Sequence, residues 1–398
     1  MNLSTVSEAL KIILNTSENF GTEEVNFLDS VGRVLKEDII ADRDFPPFNR
    51  VSMDGIAIAF EAFSKGQRVF KIEGVQAAGS KQLTLQNSTN CVEAMTGAML
   101  PMNTDVVIQY ELLTIENKVA TVNTDEIKKN KNVHLKGLDR KKGDVLIPKN
   151  TKISSAEVGV FATVGKTIVT VAKQPKVMII STGNELVDVS ENPAEHQIRR
   201  SNVFTLVSLL DKLKIKTETA HIPDDKNLLL SKIERFLNEY DVLLFSGAVS
   251  KGKFDYIPDV LDKLGVQKLF HRVQQRPGKP FWFGKKGFKT VFAFPGNPVS
   301  TFVSCLKYFY SWYYKSVGLN FENQNEAILN EDFYFKPNLT YFLQVKITQI
   351  NGNIYATPVK GRGSADLVNL VDADAFLELP DNRSNFIKGE VFPLIMYR

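Results

Sequence analysis

At 398 residues, with 43% hydrophobic and 24% charged residues, the chain has ordinary globular composition and is too long for one core, so roughly two to four domains are expected. A net charge of +4 is weak for this length; it argues against a nucleic-acid binder with a concentrated basic face and suits small anionic ligands. Only Cys91 and Cys305 are present, and four histidines are scattered at 134, 196, 221 and 271, which argues against a disulfide framework and a cysteine or multi-histidine metal centre and points to a reducing cytosol.

The opening Met1-Asn-Leu-Ser-Thr has no charged segment leading into an apolar one, and no apolar run approaches about twenty residues. Neither a signal peptide nor a membrane span is expected. Residues 4–17 read as an amphipathic helix, with Val6, Ala9, Leu10, Ile13 and Leu14 on one stripe. Asp42 to Pro47 then breaks the chain. From about 55 to 172 short alternating strands dominate, such as Arg68-Val-Phe-Lys-Ile, Asp105-Val-Val-Ile-Gln and Lys118-Val-Ala-Thr-Val. The basic run Lys128, Lys129, Lys131, Lys136, Arg140, Lys141 and Lys142 is interrupted by Asp139 and Asp144 and reads as a solvated turn region.

At Pro175 the pattern changes. Lys176-Val-Met-Ile-Ile180 is a continuous apolar strand, followed by a helix near 202–213, a strand at 216–220, a helix over roughly 226–239 and a second apolar strand, Asp241-Val-Leu-Leu-Phe245. Strands alternating with helices at this spacing predict a doubly wound parallel α/β domain. A helix runs from Asn297 to about Lys315, and residues 330–398 return to short strands without clear helices, a small β domain.

Ligands of open α/β sheets sit at the carboxyl ends of the strands. Those ends are Ser181-Thr-Gly-Asn-Glu185, His221-Ile-Pro-Asp-Asp225, Ser246-Gly-Ala-Val-Ser250 and Pro295-Gly-Asn-Pro298, so topology gathers Glu185, Asp224, Ser250 and Asp255. Beside them lie two proline–glycine loops joined by a hairpin. Arg276-Pro-Gly-Lys-Pro280 offers two cations on a stiff backbone; Pro295-Gly-Asn-Pro-Val-Ser300 opens a helix with Asn297 as N-cap and Pro298 at its first position. A helix start carries roughly half a positive charge, so the pair of loops, with the Ser300 hydroxyl, reads as an anion site.

Gly247-Ala-Val-Ser-Lys-Gly-Lys253 formally fits a P-loop, but Phe254 stands where Ser or Thr should reach magnesium. A glycine- and serine-rich turn on some phosphate is the better reading. Asp224 and Asp255 each precede a helix, where they serve as caps or, beside a phosphoryl ligand, as magnesium ligands.

The chain is identified from these motifs as resembling the MoeA group of molybdopterin molybdotransferases, which includes the gephyrin E domain. Pro47-Phe-Asn-Arg-Val-Ser-Met-Asp-Gly-Ile-Ala57, Met95-Thr-Gly-Ala-Met-Leu-Pro101 and Gly137-Leu-Asp-Arg-Lys-Lys-Gly143 resemble its signatures. So do Ser181-Thr-Gly-Asn-Glu185, Ser246 to Asp255, Arg276-Pro-Gly-Lys-Pro280 and Pro295 to Ser300, in the same order along the whole chain. The resemblance implies a discontinuous N-terminal linker domain (1–45 and 146–172), a β-rich inserted domain (46–145), an α/β molybdopterin-binding domain (173–320) and a C-terminal β-barrel-like domain (325–398). It implies a homodimer that inserts molybdenum from molybdate into adenylylated molybdopterin, with magnesium, releasing AMP. Its partners would be a molybdopterin adenylyltransferase and molybdoenzyme apoproteins, with no nucleic acid or membrane, in the cytoplasm.

Carried over residue by residue, Asp255 would sit nearest the phosphoanhydride, with Glu185 and Asp224 assisting at the metal. Asp54 and Asp139 would come from the partner side of the cleft. Thr182, Gly183, Ser246, Gly247, Ser250, Gly252, Pro295, Gly296, Asn297 and Pro298 would hold the pterin substrate. Arg276, Lys279 and Ser300 would meet molybdate. The chain departs from the pattern at Arg276, Ala248, Ile56 and His134, where lysine, glycine, tyrosine and arginine are usual. The segment Leu339-Thr-Tyr-Phe-Leu-Gln344 lacks an expected arginine, for which Arg362, with Ser364, could substitute. A molybdopterin adenylyltransferase and a non-catalytic scaffold are the competing readings.

Overall fold

A computed structural model describes residues 3–247, 255–319 and 325–398. The chain divides into two compact units, one of Met1–Lys36, Asn150–Ser155 and Ile168–Arg398, the other of Glu37–Lys149 and Ala156–Thr167.

The smaller unit is built on a six-stranded sheet in the order Val106–Gln109, Gly55–Ile58, Cys91–Ala94, Val69–Gln76, Val119–Val122, Leu113–Glu116. Ile56, Ile58, Phe70, Val106, Ile108 and Ala120 supply its core. Gly55 is required there: a Cβ would lie 1.9 Å from the Ile108 carbonyl oxygen of the next strand. The helix Ser155–Thr163 departs from the strand-only reading of 55–172. Only Phe161 of it is buried, so its sequence carries no apolar stripe to reveal it.

In the larger unit the first helix, Val6–Leu14, starts where the local chemistry dictates. Thr5 Oγ1 accepts from Glu8 N, and Glu8 Oε2 accepts from Thr5 N, a reciprocal cap that satisfies two otherwise unpaired donors. Val6, Ala9 and Ile13 form the buried stripe.

The central sheet has six strands in the order Thr217–Ile222, Val177–Thr182, Val242–Ser246, Lys289–Phe294, Trp282–Lys286, Gln267–His271. The first four are parallel; Trp282–Lys286 alone runs against its neighbours, as the hairpin partner of Lys289–Phe294. The parallel expectation holds for the other strands, and Trp282–Lys286 is reversed at the turn that includes Gly287, as the expected hairpin between the two loops requires. The alternate side chains of each strand serve two cores. Val177, Ile179, Leu244, Phe292 and Phe294 pack with Leu206 and Leu210 of the Ser201–Asp211 helix, while Met178, Ile180, Leu243, Phe245 and Val291 pack with Leu229, Ile233 and Phe236 of Lys226–Glu239. Each such buried side chain stabilises the fold by about 1.5–3 kcal/mol. Continuous apolar strands of this kind are what two covered faces require.

The helix read from Asn297 to Lys315 is in three pieces: Pro298–Ser304, a wider π turn over Cys305–Phe309, then Tyr310–Ser316. The C-terminal strands close on themselves: Thr340–Ile350, Asn353–Pro358, Glu326–Leu329, Val391–Met396 and Ala375–Leu379, the last pairing back to the first. This five-stranded barrel includes one strand of 11 residues and a short helix, Asn369–Asp372, against the expectation of short strands and no helix. Gln275–Arg276 adds to the barrel wall, pairing Gln275 with Thr340 and Arg276 with Tyr341. Among the described residues no helix is long and apolar enough to cross a membrane.

Candidate functional site

Sheet register aligns the strand ends before any side chain is considered. Ser181 lies beside both His221 and Ser246, and Ser246 beside Phe294, so four parallel strands stop at about one level. Above them opens a cavity of about 240 Å³ lined by Thr182, Glu185, Ser246, Gly247, Gly296, Asn297 and Pro298, together with Arg199, Arg200, Ser201 and Asn202. Gly247 and Gly296 approach closely, a Cβ on Gly296 falling 3.7 Å from the Gly247 Cα. Thr182 Oγ1 is buried here without a hydrogen-bond partner, the kind of orphan a polar ligand satisfies. Gly183, at φ +131°, lets Glu185 fold back over it; a Cβ would lie 2.4 Å from Glu185 Oε2.

Nothing in the sequence singles out Asn202. From the first turn of its helix its Nδ2 donates to Ser246 Oγ at 2.9 Å and to the Gly296 carbonyl at 2.7 Å, tying two strand ends together. The Arg199-Arg200 pair just before it is the one local hint of function. Arg200 pairs with Asp188. His221 Nδ1 lies 3.1 Å from Ser181 Oγ, and burial, aided by the Arg200 cation, holds the imidazole below its ordinary pKa.

A second cavity, of about 310 Å³, lies between the sheet domain and the barrel. Arg276, Pro277, Val299, Tyr341, Gln344, Arg362 and Ser364 line it, so the two proline–glycine loops do meet, and Arg362 and Ser364 join them. Among the described residues lining it are two arginines and no carboxylate. Arg276 rests 5.7 Å from the Phe335 ring centroid. Gln344 Oε1 accepts from Asn369 Nδ2 at 2.9 Å, which leaves its buried Nε2 without a partner. The strand lacking the expected arginine thus presents an amide donor in its place.

Several expected residues stand elsewhere. Asn297 occupies the cap position but makes no side-chain cap; its Nδ2 donates to Ser364 Oγ at 2.7 Å, and Val299 N donates to the Ser364 carbonyl at 3.1 Å. Ser300 is only 2% exposed and lines neither cavity; its carbonyl packs by the loop at Gly278, where a Cβ would fall 3.7 Å from it. Pro295 is buried and its carbonyl accepts from Thr301 Oγ1 at 2.6 Å. Lys279 is exposed and lines neither cavity. Asp224 and Asn184 bond reciprocally, Asp224 N to Asn184 Oδ1 at 3.0 Å and Asn184 N to Asp224 Oδ2 at 3.4 Å, linking two strand-end loops. Asp255 stands just before the Ile257–Lys263 helix. Among the described residues no three His, Cys, Asp or Glu side chains gather as a ready metal cage, so Asp255, Asp224 and Glu185 do not form one. The donor set still fits magnesium, which takes one or two carboxylates beside phosphate oxygens. Ser250 and Gly252, with the rest of 248–254, lie outside the described residues.

In the smaller unit, Asp54 Oδ1 accepts from Thr96 N at 2.6 Å, a bond that holds its carboxyl below the usual range. Asp139 Oδ1 lies 2.9 Å from His134 Nε2, and Arg50 lies 3.2 Å from the other ring nitrogen. Arginine can only donate, so that nitrogen is the acceptor and Nε2–H points at Asp139.

Residues 4–165 match the MoeA N-terminal region (domain I and II), 178–311 the probable molybdopterin binding domain, and 326–397 the MoeA C-terminal region (domain IV). A molybdopterin molybdenumtransferase of Synechocystis is 40% identical over 394 residues, 98% of either chain. One from Staphylococcus epidermidis is 29% identical over 98% of this chain and 95% of its own. A crystal structure of the molybdopterin biosynthesis MoeA protein of Pyrococcus horikoshii superposes over 100% of both chains with a TM-score of 0.86 at 29% identity. Full-length likeness in sequence and in fold places this chain in the MoeA family.

Proposed function

We propose that the chain is a molybdopterin molybdenumtransferase that moves molybdenum from molybdate into adenylylated molybdopterin and releases AMP. The observation that carries this reading is the pair of adjoining cavities, one with both a carboxylate and arginines in its lining and one with arginines and, among the described residues, no carboxylate, with Asn297 in the wall of the first and its partner Ser364 in the wall of the second. Molybdate is a small dianion without acidic protons near neutral pH, so it wants cations and donors; Arg276, Arg362, Ser364 and the unpartnered Gln344 amide are such groups. The mixed cavity at the strand ends suits a pterin phosphate, with Thr182, Ser246 and the glycine edges against it.

One or two of Asp255, Glu185 and Asp224, together with phosphate oxygens of the substrate, would hold magnesium, whose charge offsets that of the phosphoanhydride. Lys279, exposed beside Arg276, would meet the oxyanion from the open side. The reading makes the protein a cytosolic homodimer in which a second copy supplies Asp54 and Asp139. It takes the inserted domain as 46–145, the pterin domain as 173–320, the C-terminal domain as 325–398, and the linker domain as 1–45 with 146–172. Asp255→Asn should abolish molybdate-dependent AMP release from adenylylated molybdopterin while leaving the dimer intact. Unchanged turnover would remove Asp255 from the reaction, and ATP consumption without molybdate dependence would make the protein an adenylyltransferase.

A further inference from the structure

Beneath the Arg276-Pro-Gly-Lys279 loop lies a hydrogen-bonded polar pair against a largely apolar core. Gln275 and Tyr308 are both fully buried, and the Tyr308 hydroxyl donates to Gln275 Oε1. Gln275 Nε2 donates to the Pro277 carbonyl at 3.0 Å. The direction of this chain is forced. A carbonyl only accepts, so the amide nitrogen must face Pro277 and the amide oxygen must face the phenol, which then donates.

Two features show that the pair is fitted to the loop. Gly278, at φ +93°, packs its backbone on the amide, since a Cβ would lie 2.6 Å from Gln275 Nε2. Tyr308 lies in the π turn Cys305–Phe309. One extra residue in a turn rotates the side chains beyond it by about 100°, so the π turn decides which way Tyr308 faces. The surroundings, with the Phe281 ring centroid 5.0 Å from that of Tyr308, would accept an apolar pair. A buried polar pair costs more than an apolar one unless its hydrogen bonds do something apolar contact cannot.

We propose that Tyr308 and Gln275 are positioning residues that, through the Pro277 carbonyl, fix the loop carrying Arg276 and Lys279 at the height that binds the oxyanion. This rests on the functional reading above. The test is calorimetric titration of the full-length protein with molybdate, alongside thermal melting. Tyr308→Phe should weaken molybdate binding roughly fivefold, the worth of one net hydrogen bond. The double variant Tyr308→Phe with Gln275→Met removes both polar side chains but leaves the Pro277 carbonyl without its donor, so it should bind molybdate no better than Tyr308→Phe. Recovery of binding together with stability in the double variant, or parent-like binding in Tyr308→Phe, overturns the proposal. Arg276→Ala and Lys279→Ala separate the two failures. If they weaken molybdate binding and Tyr308→Phe does not, the clamp alone is wrong; if they too bind like the parent, the oxyanion site is misplaced and the clamp falls with it.

Discussion

Asn202→Ala probes whether the strand-end cavity is held in shape by a side chain from outside the strands. Two hydrogen bonds are lost. Ser246 is only 4% exposed, so its hydroxyl loses a partner where water has little access, at a cost of about 1–2 kcal/mol. Gly296 is exposed, and its carbonyl turns to water for about 0.5 kcal/mol or less. The sum is about 1–2.5 kcal/mol, or a fall of roughly 2–4 °C in melting temperature for a unit of this size. Asn202→Asp separates stability from shape. The Ser246 hydroxyl can turn and donate to the carboxylate, so that bond survives, but the carboxylate then faces the Gly296 carbonyl, acceptor against acceptor, and adds negative charge where a phosphate is expected. The aspartate variant should therefore melt no lower than the alanine variant yet lose more affinity for molybdopterin, read by fluorescence titration of the pterin. An alanine variant that melts and binds like the parent would refute the idea that Asn202 braces the cavity.

Gly55→Ala should be among the most damaging single changes, because the added methyl meets backbone, the Ile108 carbonyl at 1.9 Å, which cannot swing away. A loss of about 3–5 kcal/mol is expected, read as selective protease sensitivity of the smaller unit, and a parent-like digestion pattern contradicts it. His221 gives a pH dependence with a definite sign. Burial and Arg200 lower its pKa from 6.5, with Asp224, Glu185 and the Ser181 contact opposing, so on acidification the unfolded chain takes up its proton first. Stability is therefore full above pH 6.5 and lost as pH falls below it. His221→Gln should flatten that decline in melting temperature, and an unaltered slope would assign it to other groups.

The fold was legible wherever one physical signal was strong. The apolar runs of strands Val177–Thr182 and Val242–Ser246 announce a sheet covered on both faces, and helix Lys226–Glu239 stands where it was expected, although its cap is Asp225 and not the neighbouring Asp224. The helix Ser155–Thr163 escaped because almost nothing on it is buried, whereas the reversed strand Trp282–Lys286 was legible as the first arm of the hairpin between the two proline–glycine loops. At the site, the glycine and proline loops were legible because few residue types can adopt those turns. Asn202 and Gln344 were not, since an amide that braces a cavity looks like any other amide until the strands around it are placed.

Asn297 shows how such an error arises and what its correction changes. Asn followed by Pro before an apolar stripe is a sound sign of a helix start, and the start is there. The inference that this start traps an anion needs its first N–H groups to be free. Pro298 has none, and Val299 N is spent on the Ser364 carbonyl, while the Asn297 side chain is spent on the Ser364 hydroxyl. Val299 N and the Asn297 side chain are therefore committed to docking the segment Gly361-Arg-Gly-Ser364 from the barrel. That docking brings Arg362 to the cavity that Arg276 lines. On the proposed reading, charge for an oxyanion would come from two guanidinium groups with fixed fork geometry, a stronger and more directional source than the roughly half charge of a helix terminus. The barrel then has a reason to be attached where it is: without it the cavity keeps one arginine and loses the wall that holds the other.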